Sequence, residues 1–316
     1  MRNRFCLFAA GLLACGILFT TAYADGGKDG QSQDVRPDGR GDRIRGTPPK
    51  ASTGAVVTGN GINYHDGPVL HTINVYYIWY GNWNGLDPTG PPILTDFASN
   101  DGGSPYFDIN TTYADTTGSV PNAVMFAGQT TVAGNSTSLS DNDVANIVDT
   151  AVGQFGGTPD TNGVYFVLTA PGINETSGFL TKYCGWHTNG SFTNGVTTWD
   201  IKYAFVGNAS GPSLGNCAEQ TSSSPNGDPG ADAMVSVIAH ELDESATDPD
   251  LNAWYDSSGM ENADKCAWTF GASISTTAGG ASYNMTLGSR NFMIQRNLLH
   301  NTAGDKCYVN PVTGQQ

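Results

Sequence analysis

Fourteen Lys and Arg stand against 29 Asp and Glu in a chain of 316 residues, a formal net charge of −15, and only 14% of the residues are charged. No basic patch is present to neutralise phosphates, which excludes nucleic acid and anionic membrane surfaces as partners. The 41 glycines, with abundant Ser, Thr and Asn, suit an exported, β-rich protein.

Residues 1–24 have the three parts of an export signal: Arg2 and Arg4, an uncharged apolar run over 5–20, and the small-x-small close Ala22-Tyr23-Ala24. The run is short for a membrane span and acidic sequence follows it, so cleavage and secretion are expected. No later segment is apolar enough to cross a bilayer. The mature chain keeps 12 basic and 29 acidic side chains, a net charge of −17. Residues 25–59 are rich in Gly, Pro and charge and poor in large apolar side chains, which predicts a disordered linker that cannot offset its ordering entropy. Its Arg40-Gly41-Asp42 triplet reads as a chance match to an adhesion signal.

Residues 60–316 form one domain, of a size that a single core supports. Residues 73–80, 124–126, 164–168 and 203–206 are β-branched and aromatic runs and are predicted as buried strands. Val144, Ile147, Val148, Ala151, Val152 and Phe155 recur at helical spacing behind Ser140, with Asp143 three residues on as a capping partner. Strands alternating with helices predict an α/β (α+β) fold, a single mixed sheet with helices packed on it. The Gly-rich stretches 170–198 and 207–230 are expected to be loops. The mature chain holds Cys184, Cys217, Cys266 and Cys307, an even count that reads as two disulfides in an oxidising compartment. Three pairings are open, and nearest-neighbour pairing, Cys184–Cys217 and Cys266–Cys307, is preferred. No C-x2-C pair supports a four-cysteine zinc site.

One segment carries chemistry. Met234, Val237, Ile238, Leu242 and Ala246 follow helical spacing, and Pro249 requires the helix to end near Asp248. Within it, His240 and Glu244 are four apart and project from one face, and Glu241 follows the first of them. That is the pattern of a zincin helix, in which positions i and i+4 hold zinc and the intervening Glu serves as general base. Here the second ligand position is Glu. Glu261 and Asp264, a turn and a loop later, are the candidate third ligands. One imidazole and two carboxylates fit zinc, and the oxygen-rich set also suits manganese or calcium. The two anionic ligands would lower the Lewis acidity of the ion below that of a two-His site. His65 and His187 are expected at most on the rim of an open cleft. The reading is a secreted metal-dependent hydrolase, a peptidase or its degenerate descendant, acting on an extracellular peptide or wall component. The alternative is a non-catalytic extracellular binding or signalling module.

Several blocks resemble the phosphate-induced protein 1 (EXORDIUM-like) family, in the same order. They are Tyr64-His65-Asp66-Gly67-Pro68-Val69-Leu70, Ile78-Trp79-Tyr80-Gly81, Cys184-Gly185-Trp186-His187, Tyr203-Ala204-Phe205-Val206-Gly207-Asn208, Pro225-Asn226-Gly227-Asp228-Pro229-Gly230-Ala231-Asp232 and the last cysteine, Cys307. The resemblance spans about 60–309 and implies a secreted or wall-associated protein. Plant members are linked to growth and cell expansion, without a settled activity. They generally carry an apolar stretch where this chain has His240-Glu241-Leu242-Asp243-Glu244, whereas microbial members resemble it there.

Overall fold

Seven consecutive residues with no exposed face, Gly163–Thr169, mark the middle of a sheet covered on both sides. In the computed structural model, which describes residues 35–46, 61–302 and 304–316, the sheet is built from β1 (Asn74–Tyr80), β2 (Met125–Val132), β3 (Gly163–Thr169), β4 (Gly185–Asn194) and β5 (Thr197–Gly207). The strand order is β2-β1-β3-β5-β4. The first four run parallel, and β4 closes one side as the antiparallel arm of a hairpin with β5. This is the expected mixed α/β sheet, with two differences. The strand expected to be buried at 124–126 is Met125–Val132, which lies at the sheet's other edge and is largely exposed or half-buried, because only one of its sides has a neighbouring strand. Residues 185–194 were expected to be loop, yet they pair along their whole length with β5. Their sequence, GWHTNGSFTN, offers only Trp186 and Phe192 as large apolar side chains, because the strand lies at the sheet's side and has little core to fill.

Helices cover both faces. Tyr77 points one way and donates a hydrogen bond to the carbonyl of Leu94 in α1 (Gly90–Asp101). Tyr76 points the other way and packs on Phe155 at the end of α2 (Asp141–Gln154). The start of α2 carries the expected cap: Ser140 Oγ accepts from Asp143 N, and the Asp143 carboxylate accepts from Ser140 N. The longest helix, α3 (Pro229–Thr247), begins with Asp228 accepting from Ala231 N and Pro229 in its first turn, and stops two residues before Pro249. It packs on β4, β5 and α1 and is buried on every side from Gly230 to Thr247, so its polar residues lie inside the protein. No helix among the described residues is long and apolar enough to cross a membrane.

Two disulfides, Cys184–Cys217 and Cys266–Cys307, join the nearest-neighbour pairs with Cα–Cα spans of 5.5 and 5.6 Å. They fit an oxidising compartment.

Residues 35–46 depart from the expected disordered linker. They run as a strap along the open side of β4: His187 N donates to Gly39 O at 3.0 Å and Cys184 N to Asp42 O at 2.7 Å. Backbone bonds from Ile44 to Lys182 and from Arg45 to Asn216 continue the contact. Arg40 reaches Asp141 at the head of α2 at 2.5 Å and lies 5.1 Å over the Trp186 ring. A lateral strand leaves a row of unpaired backbone groups. The strap satisfies the N–H of His187, and that of Cys184 just ahead of the strand, and composition-based reasoning does not register that gain. The rest of 25–59, and the export signal expected at 1–24, lie outside the described residues.

Candidate metal centre

The helical face read from the sequence exists, and the sheet and a loop close on it. His240 and Glu244 project from α3, with His240 Nε2 2.9 Å from Glu244 Oε1. The contact is close but not aligned as a hydrogen bond, and Nε2 has no hydrogen-bond partner among the described residues. The loop after α3 returns through Glu261 to a 3-10 turn at Asp264–Cys266. Its fold is set by the cluster itself: Glu261 N donates to Asp264 Oδ2, and Asp264 N to Glu244 Oε1, both at 3.1 Å. Asp264 Oδ1 is left facing His240 Nε2 at 3.5 Å.

From the sheet side comes His187. Register places it beside Ala204, Phe166 and Tyr77, on the face of the sheet that carries α1. Its Nε2 lies 3.3 Å from Glu261 and 3.6 Å from Glu244 Oε2. His187 is therefore inside the cluster rather than on a rim. His65 is placed differently: it stacks on Tyr255 with ring centroids 3.6 Å apart.

Ligand atoms from His240, Glu244 and Asp264 converge within 4.8 Å of one another, and so do those from His187, Glu244 and Glu261. The expected open cleft is not seen. Asp264 is the most exposed of the five at 7%, and the others are at 1% or less. The strap is one cause. A Cβ on Gly41 would stand 1.8 Å from Asp264 Oδ1, so only glycine permits this approach. Asp42 follows it into the core with no exposed surface, held by Gln295 Nε2 at 3.4 Å. Glu241, also fully buried, lies beneath β4, where a Cβ on Gly185 would come within 3.0 Å of its Oε1.

Electrostatics follow from this crowding. Burial, and then the charge of Asp264, push Glu244 up to about 8. Glu241 and Glu261 are raised well above the usual carboxylate range by burial and next by Glu244. Burial raises Asp42 to about 6. Burial opposes a charge on His240, but Glu244 and Asp42 outweigh it and hold its pKa well above the ordinary value. Burial and the nearby His240 charge push His187 down to about 3. The ion pairs that Glu244, Glu261 and Asp264 make among the described residues are with these two histidines. An outer layer supports the helix: Asn110 donates to Asp243 at 2.6 Å and accepts from Asn262 and Asn297.

Sequence reasoning missed Asp42 and the inward position of His187. Asp42 sits in a segment whose composition argues for disorder, and no pattern flags it. For His187 the available signal was adjacency to Cys184, which a disulfide pins in place.

This fold and site describe a mixed-sheet α/β protein with a buried His/carboxylate cluster on a central helix. The chain belongs to the phosphate-induced protein 1 family, since the family model for its conserved region matches residues 62–309. Protein EXORDIUM-like 3 of Arabidopsis thaliana is 31% identical over 253 residues, covering 70% of this chain and 72% of the relative. Protein EXORDIUM-like 5 of the same plant is 28% identical over 275 residues, covering 74% of each. No solved structure matches the chain.

Proposed function

We propose that this chain is a secreted metal-dependent hydrolase of the zincin type, in a closed form. The observation that carries the reading is the convergence of His240, Glu244 and Asp264 ligand atoms within 4.8 Å, with three of those side chains' polar atoms (His240 Nε2, Glu244 Oε2 and Asp264 Oδ1) lacking hydrogen-bond partners among the described residues. Unpaired buried polar atoms are costly, and a cation coordinated by them removes the cost. His240, Glu244 and Asp264 would hold zinc, with Glu261 beside them. Bound zinc would supply a Lewis acid, weaker than in a two-His site because of its two anionic ligands, and would lower the pKa of a bound water below that of bulk water. Glu241, one residue along the helix from His240, is the candidate proton acceptor. A substrate, a peptide or a wall component, reaches these groups only when the strap at 35–46 leaves Asp264.

A second reading has its own support. The burial of every cluster residue suits a structural ion in a non-catalytic extracellular module. Hydrolysis of a peptide library and of wall polysaccharide by the secreted, zinc-loaded protein tests both. Glu241→Gln is expected to lower turnover about 10²–10⁴-fold while leaving bound zinc unchanged. Bound zinc with no turnover, and no effect of Glu241→Gln, would select the structural module. Less than about a tenth of an equivalent of any metal would reject the hydrolase and the structural ion, and would leave a non-catalytic extracellular module without an ion.

A further inference from the structure

We propose that the cluster is a two-ion centre bridged by Glu244. This rests on reading the cluster as a metal site and goes beyond a single zinc. The two oxygens of Glu244 face different imidazoles: Oε1 is 2.9 Å from His240 Nε2, and Oε2 is 3.6 Å from His187 Nε2. Each imidazole has a further carboxylate of its own, Asp264 Oδ1 at 3.5 Å from His240 and Glu261 at 3.3 Å from His187. Two ligand atoms on one tetrahedral ion, with bonds of about 2.0–2.1 Å, lie about 3.3 Å apart. All four separations fall close to that value. The cluster thus divides into two sets of one imidazole and two carboxylate oxygens, which meet at one carboxylate.

Unpartnered atoms point the same way. Glu244 Oε2, Glu261 Oε1 and Asp264 Oδ1 are buried without hydrogen-bond partners among the described residues, so both sets hold free lone pairs. Charge adds a second argument. Asp42, Glu241, Glu244, Glu261 and Asp264 are all buried, and burying an uncompensated carboxylate is expensive. Each divalent ion would offset two carboxylate charges among its own ligands, so two ions compensate both sets where one compensates a single set. A carboxylate bridge suits the spacing of about 3.5–4 Å found in two-metal sites. Imidazole with carboxylate oxygen fits zinc or manganese at both positions.

The test uses the secreted, full mature chain, stripped with a chelator and reloaded with Mn²⁺ alone. Two equivalents per chain are expected by mass spectrometry, and electron paramagnetic resonance should show an exchange-coupled pair. His187→Ala should reduce the content to about one equivalent and replace the coupled signal by that of an isolated ion. Wild-type protein needs no variant to fold, so its signal alone can decide the matter. One equivalent with an isolated-ion signal would overturn the bridge and leave the single-ion function standing. Two equivalents without exchange coupling, unaffected by His187→Ala, would also overturn it. No bound ion would overturn the metal reading itself.

Discussion

Asp101, the last residue of α1, turns its carboxyl into the core with no exposed surface and, among the described residues, no aligned hydrogen bond to either oxygen. Burial, and then the charge of Asp243, raise its pKa well above the ordinary 3.8. Between the unfolded and folded values the native protein holds the extra proton, so stability falls as pH rises through that window, by at most about 1.4 kcal/mol per pH unit. Asp101→Asn removes this dependence. In denaturant titrations the variant should match wild type near pH 3.5 and exceed it by about 1–3 kcal/mol at pH 7. An equal difference at both pH values would refute the assignment. Residues differ in how readily they can be read from sequence for similar reasons. His240 and Glu244 are legible because four-residue spacing on an apolar helix fixes their shared face. His187 and Asp42 enter the same cluster from a strand and a strap, and no local period encodes a meeting made by tertiary packing.

At the scale of elements, the buried parallel strands were legible because both faces are apolar: Val164-Tyr165-Phe166-Val167-Leu168 leaves no other reading. β4 was not, since a lateral strand needs few apolar residues. Nor was α1, whose Pro-Pro start and scattered apolar positions hide a helix that packs on α3. The strap was obscured by its composition, and its fit is testable at Gly41. A side chain there would overlap Asp264 Oδ1, which cannot retreat while Asp264 Oδ2 holds Glu261 N. Gly41→Ala should therefore lift the strap, exposing residues 35–46 to limited proteolysis at least tenfold faster. The loss of buried contacts should cost about 1–3 kcal/mol in thermal stability. Unchanged proteolysis would show that the approach tolerates a methyl group.

For the molecule as a whole, the positions of the two disulfides have a consequence for biogenesis. Cys184 lies three residues ahead of His187, and Cys266 lies two residues after Asp264, so each cross-link anchors a segment that brings one side chain to the cluster. Closing loops of 33 and 41 residues restricts the unfolded chain by about 4 kcal/mol each under the chain-entropy model. A reduced chain would have to gather the same groups against that entropy as well as against their mutual repulsion. If the proposed ions bind, oxidation would act as a licence for assembly: a reduced chain in a reducing compartment would capture them poorly and would gain that capacity once both cross-links close. Graded dithiothreitol should accordingly release bound Mn²⁺ in step with thiol exposure. Retention of the ion after both cross-links have opened would break this coupling between redox environment and metal capture.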